Sequence, residues 1–446
     1  MQAVILAAGK GERMRSLSPT KPMVSLLGMP LIERTVRTVQ SCGIENIIIV
    51  TGCEPEAIQA WQHDYALANP HMQITLVQNN EWDSTENGQS LAAAAGHIRG
   101  DFLLLMADHV YAPELLASLC KSAPAHGGAT LAVDGGIHRK DIDPEDVTHV
   151  YVTDQKINRI GKKIQPHNGL DTGAFLCRAA VAERAVRTCA EGRTRLSDTM
   201  QDLADDGKLL AHRVNGLYWQ DVDTPQMHKR AEQGLLRWAA GKAADGAVAR
   251  YVNRPLSRQI TRVLVQTGIT PNQTSLIAFA IGLFAALCLA QPQYWGLLAG
   301  GLLVQLASIV DGCDGELARL KLRPSPYGGW LDALLDRYAD AAVLAALTWH
   351  LVQFHQQPQW MWLGLLAIAG SFVSSYSAHK ADGLLRHGRW RIGRDTRSLL
   401  IMVGCVLAFP EATLAVVAIA MNFVVVFRMI KLRGRDDEFA LGKTAS

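Results

Sequence analysis

Beyond about residue 270 this 446-residue chain becomes a run of apolar stretches separated by short polar loops, and that division limits the available folds more than any single motif. Six stretches can be marked, about 274–290, 294–311, 338–354, 360–378, 397–410 and 412–429. Several fall short of the roughly 20 residues of a membrane-spanning helix, so polar residues at their ends have to extend them. The fifth, which ends at Pro410, is the weakest. Up to about residue 250, by contrast, charged and apolar residues are mixed as in soluble proteins. A chain this long is too large for one ordinary core. The expected division is a soluble domain over 1–235, a linker with a juxtamembrane amphipathic helix over 236–268, and a six-helix membrane domain over 269–446.

The placement of charge gives the orientation. The connections near Gln291–Gln293, Gln353–Gln359 and Pro410–Glu411 contain no Lys or Arg. The opposite connections contain Arg319, Lys321 and Arg323, then Lys380, Arg386, Arg389, Arg391 and Arg394; Arg428, Lys431, Arg433 and Arg435 follow the last stretch. By the positive-inside rule these basic segments are cytoplasmic. The expectation is a multi-pass protein of the inner (cell) membrane, with both termini and the N-terminal domain in the cytoplasm. A net charge of +3 is too small to suggest nucleic-acid binding. Eight cysteines without metal-ligand spacing read as scattered thiols in a reducing compartment. The opening residues lack the basic start and long apolar run of a signal peptide.

The soluble half reads as α/β, doubly wound. Ala3–Leu6, Asn46–Val50, Ile74–Val77, Phe102–Met106 and Thr130–Val133 are short apolar runs of the kind that suit strands buried on both faces, and a helix-like stretch, Leu31–Gln40, separates the first two. Gly9-Lys10-Gly11-Glu12-Arg13 follows the first strand directly. Glycines there let the backbone turn tightly and present N–H groups to phosphate, while Lys10 and Arg13 add positive charge. The turn is neither GxGxxG nor a Walker loop.

Around the second apolar stretch runs Asp311-Gly312-Cys313-Asp314-Gly315-Glu316-Leu317-Ala318-Arg319, followed by Gly328, Asp332 and Asp336. Charged groups at a membrane helix end are costly unless they are paired or coordinate a cation. Asp311 and Asp314 share one helix face, as do Asp332 and Asp336, and two facing carboxylate pairs suit a divalent metal. Small residues at 315, 318 and 328 leave room for a close helix or a bulky nucleotide. Asp340 continues the second stripe by one turn and can pair with Arg337 instead of metal. Arg394 and Arg397, in Arg394-Asp395-Thr396-Arg397, suit bidentate phosphate recognition, and positive-inside anchoring explains them equally well.

Two family resemblances follow. LAAGKGERM, Thr20-Lys21-Pro22 and Gly28-Met29-Pro30-Leu31-Ile32-Glu33, in that order, resemble the sugar-phosphate nucleotidyltransferases. The resemblance implies a Rossmann-like domain that uses CTP or a similar nucleotide. Leu6, Ala8, Gly9, Gly11 and Arg13 would hold the triphosphate, Lys21 would be catalytic, and Thr85, Asn87 and Ser90 would read base and ribose. Asp108 and Asp223 would bind Mg²⁺ (or Mn²⁺), with Lys162 and Asp171 on the sugar-phosphate side. The second half fits D-x-x-D-G-x-x-A-R-x8-G-x-x-x-D-x-x-x-D and resembles the CDP-alcohol phosphotransferases. That implies metal held by Asp311, Asp314, Asp332 and Asp336, with Asp336 also the catalytic base. Gly315, Ala318, Arg319 and Asn272 would form the CDP pocket.

One half would make a CDP-alcohol and the other would consume it. The order of the halves, with the MADHVY, IGKK…DTG and GRDTR segments, resembles a family of fused inositol-phosphate enzymes. It implies CTP plus inositol 1-phosphate giving CDP-inositol, which then meets an inositol phosphate held by Arg394 and Arg397, in a homodimer joined through the membrane domain. Only 19% of the residues are charged, unlike the heat-adapted proteins associated with that chemistry. Another phosphorylated alcohol as donor, or a membrane lipid as acceptor, is therefore the alternative. The carboxylates in both halves argue against a non-catalytic scaffold, and the absence of visible repeats argues against a transporter.

Overall fold

The computed structural model describes residues 1–136, 139, 142, 147–241, 245–354, 356–381 and 393–440, the side chains of 379, 381 and 434–440 excepted. Of the basic residues used above for orientation, Arg386, Arg389 and Arg391 therefore lie outside the described residues, as does the side chain of Arg435. The chain divides into two units, Met1–Leu235 and Leu236–Ser446.

The first unit is built on a nine-stranded sheet: β1 (Gln2–Ala7), β2 (Asn46–Thr51), β3 (Gln73–Gln78), β4 (Phe102–Met106), β5 (Ala129–Asp134), β6 (His149–Thr153), β7 (Lys156–Gly161), β8 (Gly169–Cys177) and β9 (Leu209–Arg213), in the order β3-β2-β1-β4-β8-β5-β9-β7-β6. The five apolar runs read from sequence are β1 to β5, and the helix between the first two covers Leu31–Gln40. β3, β2, β1 and β4 are parallel; β8 then enters antiparallel to β4 and β5, so the sheet is mixed beyond its fourth strand. The runs in β1, β2, β4 and β5 are buried on both faces as expected, but β3, at the sheet edge, leaves Gln73, Thr75 and Gln78 exposed. Val4 and Leu6 point into one core with Leu104 and Met106, while Ala3 and Ile5 point into the other with Ile47, Leu103 and Leu105. Each fully buried Ile or Leu of this kind contributes roughly 1.5–3 kcal/mol.

Strands β1 and β4 end at the same edge, and the chain leaves each of them in a segment singled out from the sequence: the glycine turn after β1 and Asp108 after β4. A two-stranded ribbon, His109–Tyr111 against Trp219–Asp221, brings the Asp221–Asp223 segment to that edge.

The second unit is helical among its described residues. An amphipathic helix α1 (Arg254–Leu264) precedes α2 (Pro271–Leu289), α3 (Tyr294–Leu320), α4 (Pro326–Phe354), α5 (Trp360–Ala381), α6 (Arg394–Val406) and α7 (Pro410–Ala440). Pro271 takes the first helical position of α2, and a reciprocal cap closes its start: Thr270 Oγ1 accepts from Gln273 N while Thr270 N donates to Gln273 Oε1. Four helical segments among the described residues are long and apolar enough to cross a membrane, Pro271–Leu289, Tyr294–Leu320, Trp360–Ala378 and Pro410–Arg433. The helix α4 carries Asp332, Asp336, Arg337 and Asp340 in its first half, and α6 has 13 residues. The bundle core is Ala285, Leu289, Val304, Leu344, Leu347, Ile401, Leu414 and Val417 among others, while Phe284, Leu287, Trp295, Trp362, Ile419 and Phe423 face outward. An apolar outer surface around an apolar core suits lipid as the surrounding solvent.

Two candidate active sites

The site of the first unit begins at Gly11, whose backbone is left-handed (φ 58°, ψ 34°). A side chain is excluded there twice over, by conformation and because a Cβ would lie 2.4 Å from Lys21 Cβ. The bare turn thus lets Lys21 run beneath it. Lys21 Nζ lies 2.6 Å from Asp108 Oδ2 and also pairs with Asp223, so one ammonium joins the two carboxylates assigned to metal from the sequence. Burial alone pushes the Asp108 carboxyl up, but Lys21 and His109 outweigh it and hold it well below the usual carboxylate range.

Two groups that lie in segments singled out from the sequence, without a role of their own there, complete the cluster. His109 Nδ1 is 2.8 Å from Asp108 Oδ1 and 3.9 Å from Asp221 Oδ1, and one ligand atom each from Asp108, His109 and Asp221 lie within 4.8 Å of one another. Burial works against a charge on His109, but the two carboxylates prevail and raise its pKa. The ring stacks on Trp219 at 6.3 Å and 9°. Both residues adjoin carboxylates singled out in the sequence, His109 after Asp108 and Asp221 two before Asp223, so adjacency was the available signal.

Asp108, His109, Asp221 and Asp223 line a cavity of about 840 Å³, together with Asn87, Lys162 and Asp171. That volume is ample for a nucleotide. The other residues assigned to the nucleotide from the sequence are not among those that line it. Leu6 and Ala8 are buried, Gly9 and Arg13 are exposed, Thr85 Oγ1 donates to the Glu81 carbonyl at 2.5 Å, and Ser90 Oγ accepts from Asn79 at 3.1 Å. Asp171 accepts from Gly173 N at 2.7 Å, yet burial raises its pKa to about 6. Its charge therefore costs stability above about pH 6 and nothing below its ordinary value near 3.8. Asp171→Asn is expected to raise the melting temperature at pH 8 and leave it unchanged at pH 4. A loss at pH 8 would show that the carboxylate is stabilising.

In the second unit α3 and α4 present the four motif carboxylates. One oxygen each from Asp311, Asp314 and Asp332 lie within 4.8 Å of one another. Asp314 Oδ2 accepts from Ser275 Oγ at 2.5 Å, and Asp332 Oδ1 is buried with no hydrogen-bond partner among the described residues. Leaving a carboxylate oxygen buried and unpaired is costly, so three converging oxygens with one orphan fit a hard divalent cation. Asp336 sits beside arginine: it pairs with Arg394, which also lies 2.8 Å from Asp311, and with Arg337 at 3.5 Å. Arg397 is buried, bonded to Asp340 and, at 2.7 Å, to Ser371 Oγ. Asp340 thus pairs with Arg337 (3.7 Å), as the sequence allowed, and with Arg397.

Gly328 has its missing side chain filled by Asn272, whose Oδ1 would lie 3.0 Å from a Cβ. Arg319 Nε donates to the Ala239 carbonyl at 2.6 Å, one turn beyond Gly315 and next to Ala318. The residues that the sequence assigns to CDP thus lie at the end of α3 and the start of α2.

Comparison with known proteins matches both halves of the chain. Residues 3–206 match the MobA-like NTP transferase domain, and residues 268–429 match the CDP-alcohol phosphatidyltransferase family. The bifunctional IPC transferase and DIPP synthase of Aquifex aeolicus is 33% identical over 95% of this chain and 96% of its own. Its counterpart in Rubrobacter xylanophilus is 36% identical over 97% of each, and that of Thermococcus kodakarensis 34% over 86% of this chain and 83% of its own. With both domains matched in order and relatives aligned nearly end to end, the chain belongs to the family of bifunctional IPC transferases and DIPP synthases.

Proposed function

We propose that the first unit transfers a cytidylyl group from CTP to inositol 1-phosphate, and that the second transfers phosphoinositol from the resulting CDP-inositol to an inositol phosphate. The observation that carries this is the pairing of two separate carboxylate clusters in one chain, Asp108 with Asp223 around Lys21, and Asp311, Asp314 and Asp332 at the α3–α4 ends.

In the first step a phosphate oxygen of inositol 1-phosphate attacks the α-phosphorus of CTP and pyrophosphate leaves. Lys21 lies where it can neutralise charge growing on the α-phosphate, and the glycine turn offers backbone N–H groups to the triphosphate. Lys162 and Asp171, across the cavity, orient the inositol phosphate. In the second step a hydroxyl of the acceptor attacks the β-phosphorus of CDP-inositol, its proton passes to a base, and CMP leaves. Asp336, which pairs with Arg394, would be the base; Arg394, with Arg397, would hold the acceptor's phosphate. Asp311, Asp314 and Asp332 would hold Mg²⁺, and Asp108 and Asp223 would do so in the first unit, where a divalent ion supplies Lewis-acid stabilisation of phosphate charge.

The working boundaries are 1–235, 236–268 and 269–446. We take α2 to α7 as six spans, with α4 and α6 bearing their polar ends on the cytoplasmic side, where Arg319, Lys321, Arg323, Arg394, Lys431 and Arg433 gather. Both termini would then be cytoplasmic, and the apolar outer faces leave room for a second copy within the bilayer.

The test is product analysis on the purified full chain with Mg²⁺, CTP and inositol 1-phosphate. The expected outcome is a phosphodiester of two inositol units carrying one phosphate monoester, with one pyrophosphate and one CMP per product. Absence of CDP-inositol under all conditions would remove the inositol assignment; incorporation into vesicle lipid instead would identify a lipid acceptor.

A further inference from the structure

The amphipathic helix α1 is bonded to the phosphotransfer site by two buried polar networks that no substrate contact explains. The first centres on Glu316, which is fully buried. Its Oε1 accepts from Arg254 Nη1 at 3.0 Å and Ser257 Oγ at 2.6 Å, and its Oε2 accepts from Thr261 Oγ1 at 2.7 Å. Arg254 is itself held from the other side by Asp245, at 2.9 and 3.1 Å. Ser257 and Thr261 are also fully buried. Where the guanidinium passes over α3 the residue is Gly312, and a Cβ there would lie 3.1 Å from Arg254 Nη1.

The second network centres on Asn253, the residue before α1. Its Nδ2 donates to Asp395 Oδ1 at 2.5 Å and to Ser308 Oγ at 3.2 Å, and its Oδ1 accepts from Gln305 Nε2 at 2.6 Å. Asp395 directly follows Arg394, which reaches Asp311 and Asp336.

Helix geometry separates these contacts from the chemistry. At about 100° per residue Glu316 lies roughly 140–160° round α3 from Asp311 and Asp314, on the far face from the carboxylates. An apolar face would hold α1 against α3 as firmly, since replacing buried charged groups with packed hydrophobic ones is often neutral or stabilising. What a saturated polar network adds is register: a shift of α1 by one residue breaks all of these bonds together.

We infer that Glu316 and Asn253 are positioning residues, through which α1 fixes the two halves of the site: Glu316 sets the rotation of α3 and hence the metal carboxylates, and Asn253 sets the end of α6 and hence the acceptor arginines. The inference rests on the assignment of phosphotransfer to the α3–α4 carboxylates. It gives the two residues different effects, which a role in stability alone does not.

The experiment uses the full chain in detergent, with Glu316→Gln, the double variant Ser257→Ala/Thr261→Ala and Asn253→Ala. Mn²⁺ binding is measured from the electron spin resonance of the free ion, taking Asp332→Ala as the baseline of the first unit's own binding. The KM for the acceptor is measured with CDP-inositol supplied. Glu316→Gln is expected to weaken Mn²⁺ binding at the membrane site about tenfold, a usual effect of removing an outer-shell support. Its acceptor KM stays unchanged. The Ser257/Thr261 double variant, which leaves Glu316 in place, shifts Mn²⁺ binding the same way. Asn253→Ala raises the acceptor KM about tenfold through misplacement of Arg394, with Mn²⁺ binding unchanged. Variants that alter only yield or melting temperature, or that move both parameters together, overturn the inference. If Asp332→Ala keeps phosphotransfer and Mn²⁺ binding, the site assignment itself falls, and the inference with it.

Discussion

Asp332→Ala is expected to stop phosphotransfer while leaving cytidylyl transfer intact, so that CDP-inositol accumulates from CTP and inositol 1-phosphate and no CMP is released. The size of the effect follows from what the side chain lacks. Asp311 has Arg394 at 2.8 Å and Asp314 has Ser275 at 2.5 Å, but one Asp332 oxygen is buried with no hydrogen-bond partner among the described residues. A carboxylate kept this way is held for something other than the fold, and removing it takes away a third of a three-carboxylate set. Loss of one preorganised electrostatic group typically costs 10²–10³ in rate, so a fall of about 10³ or more is expected where the group is a metal ligand. The protein should gain stability, because a buried unpaired carboxylate leaves with the side chain. A variant that lost stability and kept its phosphotransfer rate would make Asp332 structural. Asp311→Ala should behave differently, since it also deprives Arg394 of one of its partners, and a loss of folded protein is expected alongside the loss of activity.

The parts of this molecule that sequence disclosed are those in which one physical demand dominates a segment. β1, β2, β4 and β5 are buried on both faces, and burial on both faces leaves little room for a polar residue, so they stand out as apolar runs, while β3 at the sheet edge is exposed on one face. The four motif aspartates stand out because charge at a membrane helix end needs a reason. β6 and β7 do not stand out: they are short, His149–Thr153 and Lys156–Gly161, with β7 exposed along half its length, and their polar and apolar residues are mixed. The antiparallel entry of β8 between β4 and β5 is equally silent, because pairing direction leaves no mark on a single strand. In the sites, spacing picked out the candidate carboxylates but not how they are partnered. The distances from Lys21 to Asp108 and from Arg397 to Asp340 join residues 87 and 57 positions apart, and no local pattern encodes such a pair. Glu316 is the clearest case. It falls at an unconstrained position of the motif, and only the approach of Arg254, Ser257 and Thr261 shows what it does.

Lys21→Met is expected to reverse the first outcome: cytidylyl transfer falls by on the order of 10²–10³, and CMP release from CTP and inositol phosphates ceases, but supplied CDP-inositol is still converted at the wild-type rate. Methionine keeps the length and apolar body of the side chain, so Gly11, which leaves no room between itself and Lys21 Cβ, is not disturbed. What disappears is the single ammonium that Asp108 and Asp223 share. Without it, burial and mutual repulsion act on Asp108 unopposed except by His109, and its pKa rises toward the ordinary range. The sign of the resulting pH dependence is fixed. A carboxylate held low by a partner stabilises the protein above its unfolded pKa and loses that contribution as pH falls, so the wild type should resist acid better than the variant. The stability gap between them should therefore be full near neutrality, begin to narrow below about pH 4, the unfolded value of an aspartate, and close only well below it, where Asp108 itself takes up a proton. Added Mg²⁺ should narrow the neutral-pH gap, because a divalent ion on Asp108 and Asp223 replaces the charge that Lys21 supplied. A variant that lost activity with no change in acid stability would place Lys21 in contact with substrate alone. One that lost stability but kept cytidylyl transfer would reduce the lysine to a structural counter-ion, and the first site would have to be rebuilt around the glycine turn and His109.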